Sequence, residues 1–199
     1  MNTKFGNNLD TQFYLQSPEI VARELIGKIL IKTIGDGKYL AGRIIETEAY
    51  LSHGDLSSHS APGKTKRNAA MFSRGGTLYV YQIYGIHHCI NVVTENEGTG
   101  SAVLIRALEP LEGIEQMRVY RNNAPFDKLC KGPANLTKAF NLSIDDNFID
   151  LTDSFLSIAG NNENYDDEIK TSKRIGITKS SELLLRFYLK NTKLVSGNK

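Results

Sequence analysis

The segment from Gly76 to Asn91 predicts a β-hairpin and carries three of the nine tyrosines in the chain. Its first strand is predicted over 77–82, the chain reverses around Tyr84 and Gly85, and the return strand covers 86–93. Gly85 supplies the positive φ that such a tight reversal often requires, so Tyr84 is expected at or beside the tip. A large aromatic side chain at a hairpin tip is poorly placed for a core. It is well placed to wedge into something flat, such as a stack of bases.

Helix and strand signals along the rest of the chain predict an α+β fold. Ser17, Pro18 and Glu19 form a good helix start, and the helix ends at Gly27. Strands are predicted at 28–34, 39–51, 101–108 and 154–160, helices at 112–121 and 133–142, a polar loop at 161–168, and a strand or short helix at 183–189. The sum is a single mixed domain with a curved, mainly antiparallel β-sheet and surrounding helices, preceded by a poorly ordered tail over residues 1–12.

Length and composition are those of an ordinary globular domain of 199 residues, with 40% hydrophobic and 23% charged residues. The polar start of the chain predicts no secretory signal, and no apolar run approaches the ~18 residues of a membrane span. Two cysteines, Cys89 and Cys130, indicate an intracellular protein with free thiols rather than a disulfide.

The strand predicted around residues 42–51 places two carboxylates and a tyrosine on one face. Glu46, Glu48 and Tyr50 share that face because side chains two apart on a strand point the same way. Taken alone, such a face is more often a solvated outer surface than the floor of a cleft. The long polar loop at 52–72, with His59, and the tyrosine hairpin beyond it favour the cleft.

A carboxylate in a partly desolvated cleft is a natural general base for activating water. Tyrosine rings beside it offer flat surfaces for an aromatic ligand, each worth ~1–3 kcal/mol per stacked base. Tyr50 and Tyr81 are the candidates for these surfaces, although an ordinary half-buried strand position is the more common place for a tyrosine.

Basic residues are concentrated just before the hairpin, although the net charge of +2 is only mildly basic. Lys64, Lys66, Arg67 and Arg74 lie within eleven residues of one another. This run is either a solvated basic loop or a patch that contacts phosphates, and the run alone does not decide. Lys64 and Arg67 are the candidate contacts to a nucleic-acid backbone.

The four histidines do not form a metal-binding pattern. His53, His59, His87 and His88 lack the helical or ribbon spacing of a metal site, even with Asp55 nearby. The adjacent His87 and His88 point to opposite faces of a strand. We therefore expect no catalytic metal, and the sequence contains no glycine-rich phosphate-binding motif.

A set of short motifs occurs along the chain in the order that is found in one enzyme family. These motifs are Arg43-Ile-Ile-Glu-Thr-Glu-Ala-Tyr50, Ser58-His-Ser60, Arg67-Asn68, Met71-Phe72, Gly76-Thr-Leu-Tyr-Val-Tyr81, Ile83-Tyr-Gly85, Asn91, Leu104-Ile-Arg-Ala-Leu-Glu-Pro110 and Leu129-Cys-Lys-Gly-Pro133. Over roughly residues 14–190 the chain resembles the alkyladenine DNA glycosylases, also called 3-methyladenine DNA glycosylases of the mammalian type. The first motif followed by the tyrosine hairpin at this separation is a specific signal.

The resemblance implies a hydrolase that releases damaged purines from double-stranded DNA. Glu48 matches the general base that activates the attacking water, whereas Glu46 does not match that position. Arg106 matches an arginine near the catalytic water and the backbone of the target. No lysine matches a nucleophile, so base release without strand cleavage is implied, with no cofactor and no metal.

The same resemblance assigns roles around the target base. Tyr50, His59 and Tyr81 match the residues that enclose the flipped base, and His59 also hydrogen-bonds to it. Asn91 matches a pocket residue that disfavours the exocyclic amino group of guanine. Tyr84 matches the side chain that is inserted through the minor groove into the space that the flipped nucleotide leaves. No role beyond packing is implied for Tyr79.

The implied protein is a monomer that works on DNA inside the cell, in the cytoplasm or nucleoid if it is bacterial, without a membrane partner. Four flanking positions depart from the family pattern: Lys66 and Lys173 stand where proline is frequent, and His87 and His88 replace aromatic or aliphatic residues. They bear on loop geometry and lesion preference rather than on the reaction.

Two alternatives stay open. A glycoside hydrolase acting on carbohydrate could use Glu46 and Glu48 as its acid pair, although the chain has no tryptophan to stack on sugar rings. A non-catalytic module that binds or bends damaged DNA could keep only the hairpin wedge, although it would not need Glu48 and a closed pocket.

Overall fold

Two strands of twelve residues each, β4 and β7, form the centre of the main sheet in a computed structural model that describes residues 2–160 and 163–197. The strands are β1 Asn2–Thr3, β2 Gly6–Asn7, β3 Ile29–Thr33, β4 Tyr39–Tyr50, β5 Leu78–Ile83, β6 His87–Thr94, β7 Ser101–Glu112, β8 Leu156–Ala159, β9 Ile169–Ser172 and β10 Arg186–Leu189. The α-helices are α1 Thr11–Tyr14, α2 Pro18–Glu24, α3 Ile114–Tyr120 and α4 Pro133–Ala139, and short 3₁₀ turns cover Ala69–Phe72, Phe126–Lys128, Ile144–Asp146 and Asp166–Glu168.

The main sheet has eight strands, and every pairing in it is antiparallel. Its order is β5-β6-β7-β4-β10-β9, and β3 pairs with the first half of β4 and with β8. One edge of β4 therefore serves two neighbours, β3 along residues 39–43 and β10 along residues 46–48. The prediction of an α+β fold with a mainly antiparallel sheet is confirmed.

Along each strand, successive side chains point to opposite faces of the sheet. Alternate apolar residues such as Val80, Ile90 and Ile105 enter the large core, to which α2 and α4 also contribute. Residues between them, such as Tyr79 and Ala102, belong to a smaller cluster on the opposite face with residues 70–72. The side chains of the candidate site lie on this second face, so the same alternation that builds the core also sets out the site.

The hairpin was predicted closely. β5 and β6 pair from Leu78 and Val92 to Ile83 and His87, and Tyr84 and Gly85 both have positive φ. Two successive residues with positive φ make a turn whose twist matches that of the flanking strands, and glycine accepts this conformation without strain.

Several sequence predictions differ from the structure. A poorly ordered tail was predicted for residues 1–12, but β1 and β2 pair there, the N–H of Leu9 donates to the carbonyl of Ile158, and α1 begins at Thr11. The strand predicted at 101–108 continues to Glu112, so the following helix begins two residues later than expected, at Ile114. Strand β9 was missed.

Other ambiguities are resolved. Residues 186–189 form a strand that is buried between β4 and β9, which decides between the strand and the short helix. The predicted loop at 161–168 lies partly outside the described residues, and its last three residues form a 3₁₀ turn. Cys89 and Cys130 are both buried, and both are free thiols that form no disulfide. None of the helices in the described part of the chain is long and apolar enough to cross a membrane.

Candidate active site

A cavity of about 350 Å³ opens on the second face of the sheet, beside the β5–β6 hairpin. This volume falls within the roughly 300–1,000 Å³ of typical small-ligand sites. Its lining combines aromatic, apolar and a few polar side chains: Tyr50, Ser57, His59, Met71, Tyr79, Tyr81, Ile83, Tyr84, Cys89, Asn91, Leu104, Arg106, Pro133, Ile175, Gly176 and Ile177. The structure therefore gathers into one site residues that are more than a hundred positions apart.

Glu48 lies behind the lining and is fully buried, not part of a solvated face. Its Oε2 accepts hydrogen bonds from Tyr50 Oη at 3.0 Å and from Arg106 Nη1 at 3.1 Å, and its Oε1 accepts one from the backbone N–H of Ile175 at 2.7 Å. A carboxylate has about four acceptor positions, so Oε1 retains one for a further donor such as water. All three donors also line the cavity.

The environment makes Glu48 a stronger base than a carboxylate in water. Burial raises its pKa, and the positive charge of Arg106, the N–H of Ile175 and the hydroxyl of Tyr50 act in the opposite direction. A carboxylate whose pKa is raised but which remains paired with a cation can accept a proton at neutral pH.

Glu46 also faces this site, but its oxygens are occupied by structural partners. Oε1 accepts from Arg106 Nε at 3.2 Å, Arg186 Nε at 2.7 Å and Ser196 Oγ at 3.0 Å, and Oε2 accepts from Ser196 N at 2.6 Å. The register of β4 against β7 shifts between Glu46 and Thr47, next to Arg106. Such irregularities redirect side chains, and here Arg106 lies between the two glutamates.

Tyr50 and Tyr81 wall the cavity with their rings. Arg174 lies over the Tyr50 ring, with its Cζ 4.6 Å from the ring centroid. Tyr81 meets the His59 ring nearly edge-on, with centroids 4.5 Å apart. Burial raises the pKa of both phenols, so both remain neutral hydroxyls near pH 7.

His59 is held by a residue to which the sequence assigned only packing. Its Nδ1 lies 2.9 Å from Tyr79 Oη, and Tyr79 is buried beneath it. Desolvation of the ring, followed by the charge of Arg67, lowers the pKa of His59, which favours the neutral imidazole at pH 7. A neutral imidazole offers one donor and one acceptor without adding a positive charge to the cavity.

Asn91 lies on β6 and is almost fully buried. Its Nδ2 donates to the carbonyl of Tyr79 at 3.1 Å, across the β5–β6 ladder. That bond fixes the amide, and the side chain still lines the cavity. A fixed amide can select among ligands by the groups they present to it, because a mismatch leaves a buried polar group unpaired.

The predicted loop at 52–72 is ordered by buried polar contacts. Asp55 and Arg174 form a bidentate ion pair at 2.6 and 2.7 Å, and both side chains are fully buried. Burial alone would raise the pKa of Asp55, but the hydrogen bonds and charge of Arg174 outweigh this effect and lower it. Further along the loop, Asn68 Nδ2 donates to the carbonyls of His59 and Gly63.

Tyr84 stands at the hairpin tip with 90% of its surface exposed, next to the exposed Ile86. Arg67 is exposed beside the hairpin and donates from Nη2 to the carbonyl of Gln82 at 3.2 Å. Lys64 is exposed on the same loop. Tyr84 also lines the cavity and the charge of Arg67 acts on His59, so the hairpin tip and Arg67 both lie beside the cavity.

Three partners of the site were missed by the sequence prediction. No role was predicted for the residues that follow Lys173, yet Arg174 lies over the Tyr50 ring and the N–H of Ile175 donates to Glu48. Ser196 carried no local signal, because its partner Glu46 is 150 residues away.

Among residues 2–160 and 163–197, no group of three histidine, cysteine or acidic residues is placed to hold a metal ion.

Comparison with known proteins agrees with the motifs. The family model described as methylpurine-DNA glycosylase (MPG) matches residues 12–193. The chain is similar to proteins that carry the name "Putative 3-methyladenine DNA glycosylase". It is 43% identical to one from Chlorobium phaeobacteroides (strain BS1) over 191 residues, which is 96% of each chain. It is 44% identical to one from Francisella tularensis subsp. tularensis (strain WY96-3418) over 193 residues, 96% of this chain and 98% of the relative. Another, from Methanoculleus marisnigri (strain ATCC 35101 / DSM 1498 / JR1), is 44% identical over 191 residues, 94% of this chain and 98% of the relative.

Proposed function

The chain belongs to the methylpurine-DNA glycosylase family, and we propose from this premise that it flips damaged purines out of duplex DNA and hydrolyses their N-glycosidic bond with a water that Glu48 activates. Its family makes it a DNA glycosylase, a hydrolase of N-glycosyl bonds. One observation carries the finer proposal: a buried carboxylate, held by three donors, stands behind a cavity walled by two tyrosines.

The first step is extrusion of the target nucleotide. Flipping costs a few kcal/mol of pairing and stacking, and less for a damaged base, so the lesion lowers the cost of entering the cavity. Stacking between the Tyr50 and Tyr81 rings returns ~1–3 kcal/mol per base contact. Tyr84 at the exposed tip fills the space left in the duplex, and Lys64 and Arg67 contact the phosphate backbone.

The second step is hydrolysis at the sugar. Glu48 accepts a proton from water while the water oxygen forms a bond to C1′, and the bond from C1′ to the purine nitrogen breaks with its electron pair on the base. A cationic alkylated purine leaves as a neutral molecule, whereas a neutral purine such as hypoxanthine leaves as an anion that takes up a proton from solvent. Glu48 then releases its proton to solvent, and the DNA keeps an abasic site. Arg106, beside the water and the sugar, fixes the ionised carboxylate in place.

Selection among bases follows from the charge of the cavity. The neutral His59 and the electron-rich faces of Tyr50 and Tyr81 favour electron-poor or cationic purines. Asn91 disfavours the exocyclic amino group of normal guanine, because its amide is fixed by the hydrogen bond to the carbonyl of Tyr79 and cannot move aside for an added group. Undamaged purines are therefore expected to be held weakly and released slowly.

The two alternatives have less support. A carbohydrate hydrolase would need Glu46 as the partner of Glu48, but Glu46 already accepts four hydrogen bonds from Arg106, Arg186 and Ser196, which is about the capacity of a carboxylate. A non-catalytic wedge would gain nothing from a buried, hydrogen-bonded carboxylate behind the cavity. Release of free purine from alkylated duplex DNA is the test of the proposal, and a purified protein that releases none would refute it.

The wedge has its own test. Tyr84→Ala is expected to weaken binding to duplex DNA that contains an abasic site by about tenfold or more, because base–aromatic stacking is worth ~1–3 kcal/mol. Binding to undamaged duplex should change much less, since it depends mainly on backbone charge. Fluorescence anisotropy titrations at one salt concentration measure both. Phe126→Ala, at an exposed aromatic residue on another element, is the control, and equal losses on the two duplexes would argue against the wedge.

A further inference from the structure

A short segment, Ser196 and Gly197, lies against Arg106 and Ile175, two of the three partners of Glu48. Ser196 is only 6% exposed, although it follows the last strand. Each of its polar groups is used: its N–H and its hydroxyl donate to Glu46, and its carbonyl accepts from Arg186 Nη2 at 2.9 Å. Its Oγ also accepts from Arg106, at 3.3 Å from Nε and 3.2 Å from Nη2.

We propose that Ser196 is a positioning residue of the glycosylase reaction, which holds Arg106 in the orientation that serves Glu48. This inference rests on the proposed function, because it takes Glu48 as the base. Ser196 touches neither the substrate nor the water, and it acts through the guanidinium of Arg106.

The argument is a competition between two carboxylates for one cation. Glu46 and Glu48 both bind Arg106, and Glu46 would draw the guanidinium to itself if its own charge were not met by other donors. Ser196 supplies two of those donors, and Arg186 supplies the third. The serine hydroxyl also gives Arg106 Nη2 an acceptor, so that Nη1 remains directed at Glu48.

The next residue reinforces the second partner of Glu48. Gly197 has φ +70°, and a Cβ at this position would lie 2.6 Å from Cδ1 of Ile175. A side chain at this position would need a backbone conformation that glycine adopts without strain, and its Cβ would displace the end of the Ile175 side chain. Because the N–H of Ile175 donates to Glu48, the two residues Ser196 and Gly197 support both the cation and the backbone donor that hold the base.

Ser196→Ala is the direct test, in single-turnover release from a duplex that carries one hypoxanthine. The rate at saturating enzyme is expected to fall on the order of 10-fold or more, because small misplacements of catalytic groups are costly. The dissociation constant for the same duplex should stay within about twofold of the wild-type value, since no DNA contact is lost.

The pH profile separates positioning from general damage to the fold. Glu48 faces Arg106 of β7, Tyr50 and Glu46 of its own strand and the N–H of Ile175, with Arg174 behind Tyr50 and Arg186 behind Glu46. When Arg106 moves toward Glu46, Glu48 loses its main counter-charge and its pKa rises further. Because the ionised form is the active base, the acid limb of the rate profile should move to higher pH.

The controls decide between the possible outcomes. Ser157→Ala removes a hydroxyl from an equally buried serine on β8 and should leave the rate and its pH profile unchanged. Ser196→Thr keeps the hydroxyl and should recover most of the rate, and Gly197→Ala should lower the rate through Ile175. If the Ser196→Ala variant has the same single-turnover rate as the wild type and the same acid limb in its pH profile, the positioning role is overturned. Glu48→Gln measured in parallel separates this failure from failure of the proposed function, because only the latter leaves Glu48→Gln active.

Discussion

Replacing Glu48 with glutamine is expected to slow release of a damaged base by about 10²- to 10⁴-fold, which is the usual contribution of a general base. Glutamine has nearly the same shape, and its one oxygen can accept either from Arg106 or from the N–H of Ile175, which bind different oxygens of Glu48. It cannot take a proton from water. The loss should therefore fall on the chemical step, measured as the single-turnover rate with enzyme in excess.

Binding should survive the same substitution. The affinity of Glu48→Gln for lesion-containing duplex should lie within a few-fold of that of the wild type, because the stacking tyrosines and the basic loop are untouched. Glu109→Gln is the matched control, since Glu109 is a partly exposed carboxylate on β7 that pairs with Arg43. Undiminished base release by Glu48→Gln would remove Glu48 from the role of base.

Replacing Asp55 with asparagine is expected to lower the free energy of unfolding by about 3–5 kcal/mol, the usual cost of breaking a buried ion pair from one side. Arg174 would then remain buried without its counter-charge. Activity should fall as well, because Arg174 supports the Tyr50 ring and precedes Ile175, whose N–H binds Glu48. Urea denaturation at pH 7 measures the loss of stability.

The dependence on pH gives the Asp55 prediction a second check. The pKa of Asp55 is lowered in the folded protein, so the pair stabilises the fold above the unfolded-state pKa of roughly 3.9 and is lost as pH falls through the lower folded-state pKa. The difference between wild type and Asp55→Asn should therefore shrink in strong acid. Glu115→Gln, in an exposed pair with Arg118, should cost less than about 1 kcal/mol at any pH. A comparable cost for both variants would contradict the account of the buried pair.

Local patterns in the sequence were sufficient to predict the β5–β6 hairpin. Gly85 at the reversal and the alternating apolar residues on both sides are all within one short segment, so a turn rule and a period of two locate Tyr84 at the tip. The same period placed Glu46, Glu48 and Tyr50 on one face of β4. In each case the information lies within a few residues of the feature that it predicts.

Burial of the two glutamates could not be predicted in this way. Judged alone, their strand face was more typical of a solvated surface. It is buried because Arg106, 58 positions from Glu48, and Ser196, 150 positions from Glu46, pack against it. Asp55 likewise meets Arg174 across 119 positions. Contacts of this kind depend on the path of the whole chain, and no local periodicity records them. The family motifs supplied part of this information, because they link residues that are distant in sequence.

Tyr79 illustrates the limit of motif matching. Its position matched the family motif, but the motif did not show what its hydroxyl contacts. The hydroxyl reaches His59 only because β5 packs under the 52–72 loop in the folded protein. Ser196 lies beyond every motif that was recognised, yet it binds both charged partners at the centre of the site. The parts of a site that orient the reacting groups are thus harder to find in a sequence than the reacting groups themselves.

The most direct test of the central claim is product analysis after incubation of the wild-type protein with duplex DNA that carries 3-methyladenine or hypoxanthine, with and without borohydride. Hydrolysis by water predicts free base and abasic sites in equal amounts, an unbroken strand, and no protein–DNA adduct trapped by borohydride. Absence of free base, or a trapped covalent adduct, would contradict a reaction in which Glu48 activates water to displace the base.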